Sequence, residues 1–586
     1  MLNGTPSIDE KRVVELASTT DSSPSAWPEP SRKGSLSRPA LIMAVGTFLS
    51  RVTGLGRLAA MAYAIGVAES RLADSFNIAN TLPNVVYELI LGGVLTSVFI
   101  PVLVEDIKTA RDDQEASARV SSLFVGTMGA LLLVTFVAIV AAPLLINLFA
   151  FRLREDAREV QKYQATFFFR FFATEIVFYG YTAVTAALLN SYHRFVATAF
   201  SPIANNIVVI ATFLVFAKIT PKQIAAAGTP PPLGMFIMAL GTAGGVAAMA
   251  AAQWPAVKRL PLSISIRRGF AHLGQSSWPK LLRLSSWIFG FVVTNQIGFA
   301  IALVLANGVQ GGPTAYFIAF AFFQLPIGLV AISIITAVVP SIAGLWVEKR
   351  VNLLARRLVR AVRAVSVLLA PMTAAYLVLG RPAVALLLER GVMSANSSQL
   401  VASTLAAFAV GIIPFSLWVL TVRCFYAIHD SKTPFVLNLL EVGVTVALDF
   451  VLYPRFQIAG LALAHSLGYF IGSAVSGWVL FRRLHQREVG RRLATPLLQI
   501  FFAGALCAAA GWIVLAKLRP WIEAIGDVSL SRIVELSVGG AAILAAFVLW
   551  GVVTRMEDLA IIKRILNPKE LFADVEEAPV GRRVSG

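Results

Sequence analysis

The stretch Ser50-Arg51-Val52-Thr53-Gly54-Leu55-Gly56-Arg57 lies inside an apolar run from about Pro39 to Gly66, so two arginines fall at the depth of a membrane span. A charged side chain near a bilayer centre costs roughly 2.5 to 3.5 kcal/mol on insertion scales, so both guanidiniums must face a polar interior rather than lipid. Gly54 and Gly56 lie between them and are expected to weaken the helix, which is tolerated at this depth only where backbone lines protein or a wet cavity. A pair that snorkels would sit at one interface. A separation of roughly 9 Å along a helix axis, with the apolar run continuing past both, favours an anion-binding wall in a central cavity.

Outward from that stretch the chain is 57% hydrophobic and 14% charged over 586 residues, with mean hydropathy +0.75. Soluble domains carry roughly 25% charge, so this composition defines an all-α polytopic membrane protein. Apolar runs long enough to span recur about 14 times. The net charge of +18 is concentrated in alternate loops: Lys258 to Arg283, Lys349 to Arg363 and Arg482 to Arg492. That is the positive-inside pattern, which places these loops and both termini in the cytoplasm and explains the charge without nucleic acid. One loop runs against it, with Arg152, Arg154, Arg158 and Lys162 on the expected outer side, although acidic residues are interleaved. Cys424 and Cys507 sit in apolar runs, and the five histidines show no ligand spacing, so neither a disulfide framework nor a metal site is expected.

In order, residues 1–37 read as a disordered cytoplasmic tail, 38–255 as an N-lobe of six spans, 256–280 as a basic amphipathic linker, and 281–485 as a C-lobe of six more. Two extra helices at 486–556 and a cytoplasmic tail at 557–586 complete the chain. The second span carries Asn77, Asn80, Asn84 and Glu88 near one helical face, interrupted by Pro83. This strip is either interhelical hydrogen-bond glue or cavity lining. Arg170 and Glu175 open the fourth span and read as interfacial. Leu82-Pro83 followed by Leu95 to Pro101 is echoed by Leu325-Pro326 followed by Ile334 to Pro340, about 240 residues later. A repeat offset by six spans keeps its orientation, so two pseudo-symmetric lobes around a central cavity form a transporter architecture that rocks to alternate access.

No catalytic constellation is present. Asp112-Asp113 lies among other loop charges, and neither a G-x-x-x-x-G-K-[ST] nor a G-x-G-x-x-G motif occurs, so energy must come from an ion gradient or from membrane potential. Ser50-Arg51-Val52 with Gly54 and Arg57, Ala73-Asp74-Ser75-Phe76, Leu82-Pro83-Asn84 and Phe99-Ile100-Pro101 resemble the opening signature of the MurJ (MviN) family of lipid II flippases. Gln324-Leu325-Pro326-Ile327-Gly328, Pro340-Ser341-Ile342-Ala343, Glu389-Arg390-Gly391, Cys424 to Ala427 with Asp430, and Gly460 to Ala464 extend the resemblance over about residues 38 to 480.

The resemblance implies 14 transmembrane helices in the multidrug/oligosaccharidyl-lipid/polysaccharide exporter superfamily, in a bacterial inner membrane. It implies export of undecaprenyl-diphosphate-linked disaccharide-pentapeptide, with membrane lipids, and cell-wall synthases or regulators, as further partners. Guanidinium forks suit a diphosphate, so Arg51 and Arg57 take that role. Asp74 matches the family's acidic residue, which pairs with an arginine and exchanges for substrate. Asn77, Asn84, Glu88, Gln296, Gln324 and Arg423 complete the expected substrate site, and the last helix pair resembles the family's groove for the polyprenyl tail. Family arginines are missing at Tyr87, Glu88 and Ala321, which makes this cavity less cationic. Asn295 and Gln296 stand near where some members hold sodium with an acid; Glu441 and Asp449 are the candidates for a coupling cation, Na+ or H+, and no other cofactor is expected. The alternatives are a flippase for another polyprenyl-linked oligosaccharide, an antiporter of the same superfamily, and a non-transporting scaffold for cell-wall synthesis.

Overall fold

The computed structural model describes residues 37–88, 103, 105, 107, 109–192, 194–273 and 278–554. The two expected tails, and the Leu95 to Pro101 limb of the repeat, lie outside the described residues. With no water to satisfy a backbone in hydrocarbon, each apolar run closes its hydrogen bonds as a helix. The first half holds α1 (Ser37–Ile65), α2 (Leu72–Tyr87), α3 (Asp113–Ala150), α4 (Glu155–Phe172), α5 (Glu175–Ser191), α6 (Phe195–Ile219) and α7 (Pro232–Lys258). A short α8 (Ile266–Ala271) follows. The second half holds α9 (Trp278–Ala306), α10 (Gly312–Pro326), α11 (Ile332–Val347), α12 (Val351–Leu388), α13 (Ala395–Ala409), α14 (Ile412–Ala427) and α15 (Lys432–Arg483). Last come α16 (Ala494–Glu523) and α17 (Val528–Val553).

Among the described residues ten helical segments are long and apolar enough to span, or eleven if the bent pair α13 and α14 is one span. α15 is two helices joined where Gln457 takes φ 49°, ψ −126°, which divides it into two spans. α4 and α5 form one broken span, and α10 and α11 form another, joined through a π-helical turn at Ile327–Ala331 just after Pro326. With α1 and the described part of α2, the arrangement follows the expected order of spans.

α1 to α7 pack on one another, as do α9 to α15, while α16 and α17 pack on α12. Cys507, Ile543 and Phe547 form a small separate core there with Val367 and Leu379. The linker is stitched to the end of α3: Ser117 and Ser121 accept from the Ser263 and Ser265 N–H groups, Ser122 donates to the His272 carbonyl, and Gly269 admits the Ser121 carbonyl.

α1 corrects one expectation. It runs unbroken through Gly54 and Gly56, both of which face α6. A Cβ at Gly46 would lie 2.7 Å from Ala199 Cβ, and one at Gly56 would lie 3.4 Å from Ile210 Cδ1, so α6 lies close along α1. At that contact Asn206 donates to the Ser50 carbonyl at 3.1 Å and to Thr53 Oγ1 at 2.9 Å.

Beside α1, Phe76 on α2 meets Phe168, Phe172 and Phe213 with centroids 5.6, 5.3 and 5.3 Å away, all edge-on. Phe76→Ala should empty the centre of this box and lower stability by about 3 to 5 kcal/mol, read as a lower thermal midpoint of the detergent-solubilised chain. An unchanged midpoint would show that the box does not hold the first lobe together.

Candidate functional site

Every polar contact between the two halves, among the described residues, falls at the end opposite the basic loops, here called the outer end. α10 begins at Gly311, whose φ of +78° admits the turn but which offers no side chain to cap the helix. Asp74 of α2 supplies that cap from the other half. Its carboxylate accepts from Gly311 N–H at 2.8 Å, Thr314 Oγ1 at 2.8 Å and Thr314 N–H at 3.3 Å, and it is fully buried. A carboxylate at a helix N-terminus satisfies orphan donors and meets the positive end of the dipole. Asn77, one turn along, donates to Thr314 Oγ1 at 3.1 Å.

Arg71 lies 4.0 Å from Asp74 and donates to the Asn307 carbonyl at 2.7 Å. Asn307 also receives Gln161 and donates to the Phe149 carbonyl. A second carboxylate repeats the device: Glu69 accepts from Ser394 N–H and Ser397 Oγ, both at 2.7 Å, at the start of α13, and from Val67 N–H at 2.6 Å. The Ala68 N–H reaches Ser397, and Val392 N–H reaches the Tyr63 carbonyl. Partial burial works to raise the Glu69 carboxyl, but the hydrogen bonds from Ser397, Ser394 and Val67 outweigh it and hold it below its ordinary 4.5.

Deeper between the halves the side chains are not engaged in this way. Arg51 is exposed and crosses from α1 toward the π-helical turn, where a Cβ at Gly328 would lie 3.6 Å from its Nε and Nη2. Arg57 is half-buried one and a half turns nearer the outer end. Glu88 and Arg423 are exposed, Gln296, Gln324 and Ala321 half-buried, and the Tyr87 side chain lies outside the described set. Asn84 donates to its own helix at the Asn80 carbonyl. The strip on α2 therefore divides: Asn77 belongs to the seal, and Glu88 does not.

In the second half Glu441 and Asp449 are buried on α15. Glu441 accepts from Thr445 at 3.1 Å, and neither Asp449 oxygen has a hydrogen-bond partner. Asn295 donates to Asn438 Oδ1 at 3.2 Å instead of presenting an acid.

Glu175 corrects the interfacial reading. It has no exposed surface, and both its oxygens lack a hydrogen-bond partner, whereas Arg170 is exposed as expected. The sequence signal that could have found it is the break after Phe172 and Ala173, which leaves an acid at the start of a helix inside a long apolar span. Glu69 was also missed; nothing in its short loop marks a partner more than 320 residues away.

Two helical lobes sealed at one end, with arginines between them beyond the seal, define a multi-pass membrane transporter built for alternating access. Solved structures share this fold: "Lipid II flippase MurJ, inward closed conformation" aligns with TM-score 0.67 at 19% identity, covering 87% of this chain and 99% of that one. A multidrug resistance MATE family transporter of the MOP superfamily, in an inward-facing conformation, aligns at 0.57 and 15%, covering 78% and 98%. The family described as lipid II flippase MurJ matches residues 61–525, and the chain belongs to that family. It is 28% identical over 550 residues to a probable lipid II flippase MurJ of Rhizobium meliloti, covering 91% of this chain and 97% of the relative. It is 27% identical over 494 residues to the lipid II flippase MurJ of Burkholderia cenocepacia, covering 83% and 90%.

The seal has a pH signature. A carboxyl held below its ordinary value stabilises the closed seam above that value, and the contribution is lost as pH falls through the depressed one. Outer-side labelling of a cysteine at Ala321 should therefore rise as the pH drops below 4.5, and Glu69→Gln should label freely at neutral pH with less pH dependence. Labelling that ignores both pH and the substitution would remove Glu69 from the seal.

Proposed function

We propose that this chain exports lipid II, the undecaprenyl-diphosphate-linked peptidoglycan precursor, from the inner to the outer leaflet by alternating access. The observation that carries the reading is the pair of arginines on α1, without an ion pair among the described residues, lying beyond a seal at the outer end. The diphosphate enters from the cytoplasmic side, where Arg51 and Arg57 supply guanidinium donors at membrane depth, with Gln296, Gln324 and Arg423 on the facing lobe as further candidates. Release of the Asp74 and Glu69 caps then parts the outer ends of the lobes, and the substrate leaves outward.

With both termini cytoplasmic, as the basic loops imply, the geometry described above is the state that receives substrate. An anionic headgroup moving outward is favoured by a membrane potential, at about 2.3 kcal/mol per charge per 100 mV. Glu441 and Asp449 form the buried acidic pair available to a coupling cation, sodium or proton. Cell-wall synthases or regulators are further partners on this reading, and the polyprenyl tail lies against α16 and α17.

Charge-assisted hydrogen bonds are worth about 1.5 to 3 kcal/mol each, so Arg51→Ala or Arg57→Ala should slow flipping about ten- to hundredfold. The readout is the lipid II cleaved by an externally added enzyme in cells holding only the variant, with the amount of protein in the membrane unchanged. Ordinary exposure of lipid II in either variant would withdraw the diphosphate role from that arginine.

A further inference from the structure

Among the described residues, Glu175 is a buried carboxyl whose two oxygens have no hydrogen-bond partner. Glu175 opens α5 at the break in the fourth span, three residues beyond Phe172 and so about one turn past the phenylalanine box. On α1, Met61 lies level with Asn77 of α2, and Arg57 lies about one turn further from the outer end. Both groups thus occupy the layer just inside the seal, and Arg57 is the charged group that acts electrostatically on Glu175.

The elements packed against α5 offer it no other partner. α6 and α7 carry charge only in their last turns, at Lys218 and Lys258. On α3, Asp113, Glu115 and Arg119 lie in the first two turns. α4 holds its charges between Glu155 and Lys162 apart from Arg170, which is exposed. Asp74 of α2 is committed to α10, and Glu88 is exposed. The remaining titratable neighbours, Tyr179 and Tyr181, stand on α5 itself.

A carboxylate stripped of water and hydrogen bonds is relieved in one of two ways: it takes a proton, or it takes a cation. Arg57 is half-buried and makes no ion pair among the described residues, so its guanidinium can serve either the cavity or the lobe interior. A diphosphate in the cavity and the carboxylate behind it compete for that one group.

We propose that Glu175 is the proton-exchanging counter-ion of Arg57, carrying a proton while the guanidinium holds a diphosphate and ionising to receive the guanidinium once the substrate has left. The proton comes from cavity water and returns to it. Glu175 acts through Arg57 and not on the substrate, which makes it a positioning residue: it keeps a lone guanidinium from being stranded between loads. The inference rests on Arg57 binding the diphosphate.

The test uses the full chain in detergent, with a polyprenyl diphosphate as the probe, over about pH 6 to 9. Binding is measured together with proton uptake, read from a pH indicator in weak buffer. Binding by the unaltered chain should weaken as the pH rises and should take up close to one proton at the alkaline end. Glu175→Gln should bind with little pH dependence and with that proton missing, while Glu175→Asp, which keeps the acid, should restore the uptake.

Proton uptake that is absent from the unaltered chain, or identical in Glu175→Gln, overturns the role of Glu175 and leaves the diphosphate reading intact. Failure of the unaltered chain to bind the probe overturns the diphosphate reading, and this inference with it. Because the first comparison needs only the unaltered chain, a variant that does not fold leaves the proposal falsifiable.

Discussion

A helix that starts inside a membrane protein exposes backbone N–H groups that nothing in the bilayer can satisfy. In this protein that constraint is met across the molecule rather than within the helix. Gly311 cannot cap α10, and Asp74 from the other lobe does so. α13 has its own cap in Ser394, yet Glu69 adds a second acceptor there. The two lobes are thereby held together by bonds one of them needs for its own secondary structure. The closed outer end follows from this, and among the described residues no comparable caps join the lobes at the other end.

The same constraint organises the interior. Polar groups at membrane depth are either absorbed into helix packing, as Asn206 is by Ser50 and Thr53, or left facing the space between the lobes, as Arg51 is. Glu175 and Asp449 fit neither group: each is buried, and each has both oxygens unpartnered. They stand in opposite lobes, Glu175 near Arg57 and Asp449 on the helix that also carries Glu441. Groups of this kind are costly to keep and mark places where charge is moved rather than stored.

Much of this was legible in the sequence. Apolar length located most of the spans, and the cost of burying a guanidinium in lipid pointed Arg51 and Arg57 inward. Residues whose meaning depends on a distant partner were not legible. Asp74 read as an acid at a helix start, but its acceptor role belongs to a helix 237 residues away, and Glu69 gave no signal at all. Gly54 and Gly56 misled in a specific way. Read alone, glycine weakens a helix; in α1 both positions face α6 and the helix continues through them. Glu175 misled because an acid near Arg170 resembles an interfacial pair, and only the packing of five helices shows it to be enclosed.

The seam itself is made largely of backbone and short side chains. A Cβ at Gly391 would run into the Tyr63 carbonyl, one at Gly311 would lie 2.5 Å from Ala68 Cβ, and both glycines have positive φ. Such a seam has almost no tolerance for sequence drift, and the intolerance is one-sided. Any side chain added there acts as a wedge against the conformation closed on the outside, so the glycines are the hinge-pins on which that closure turns.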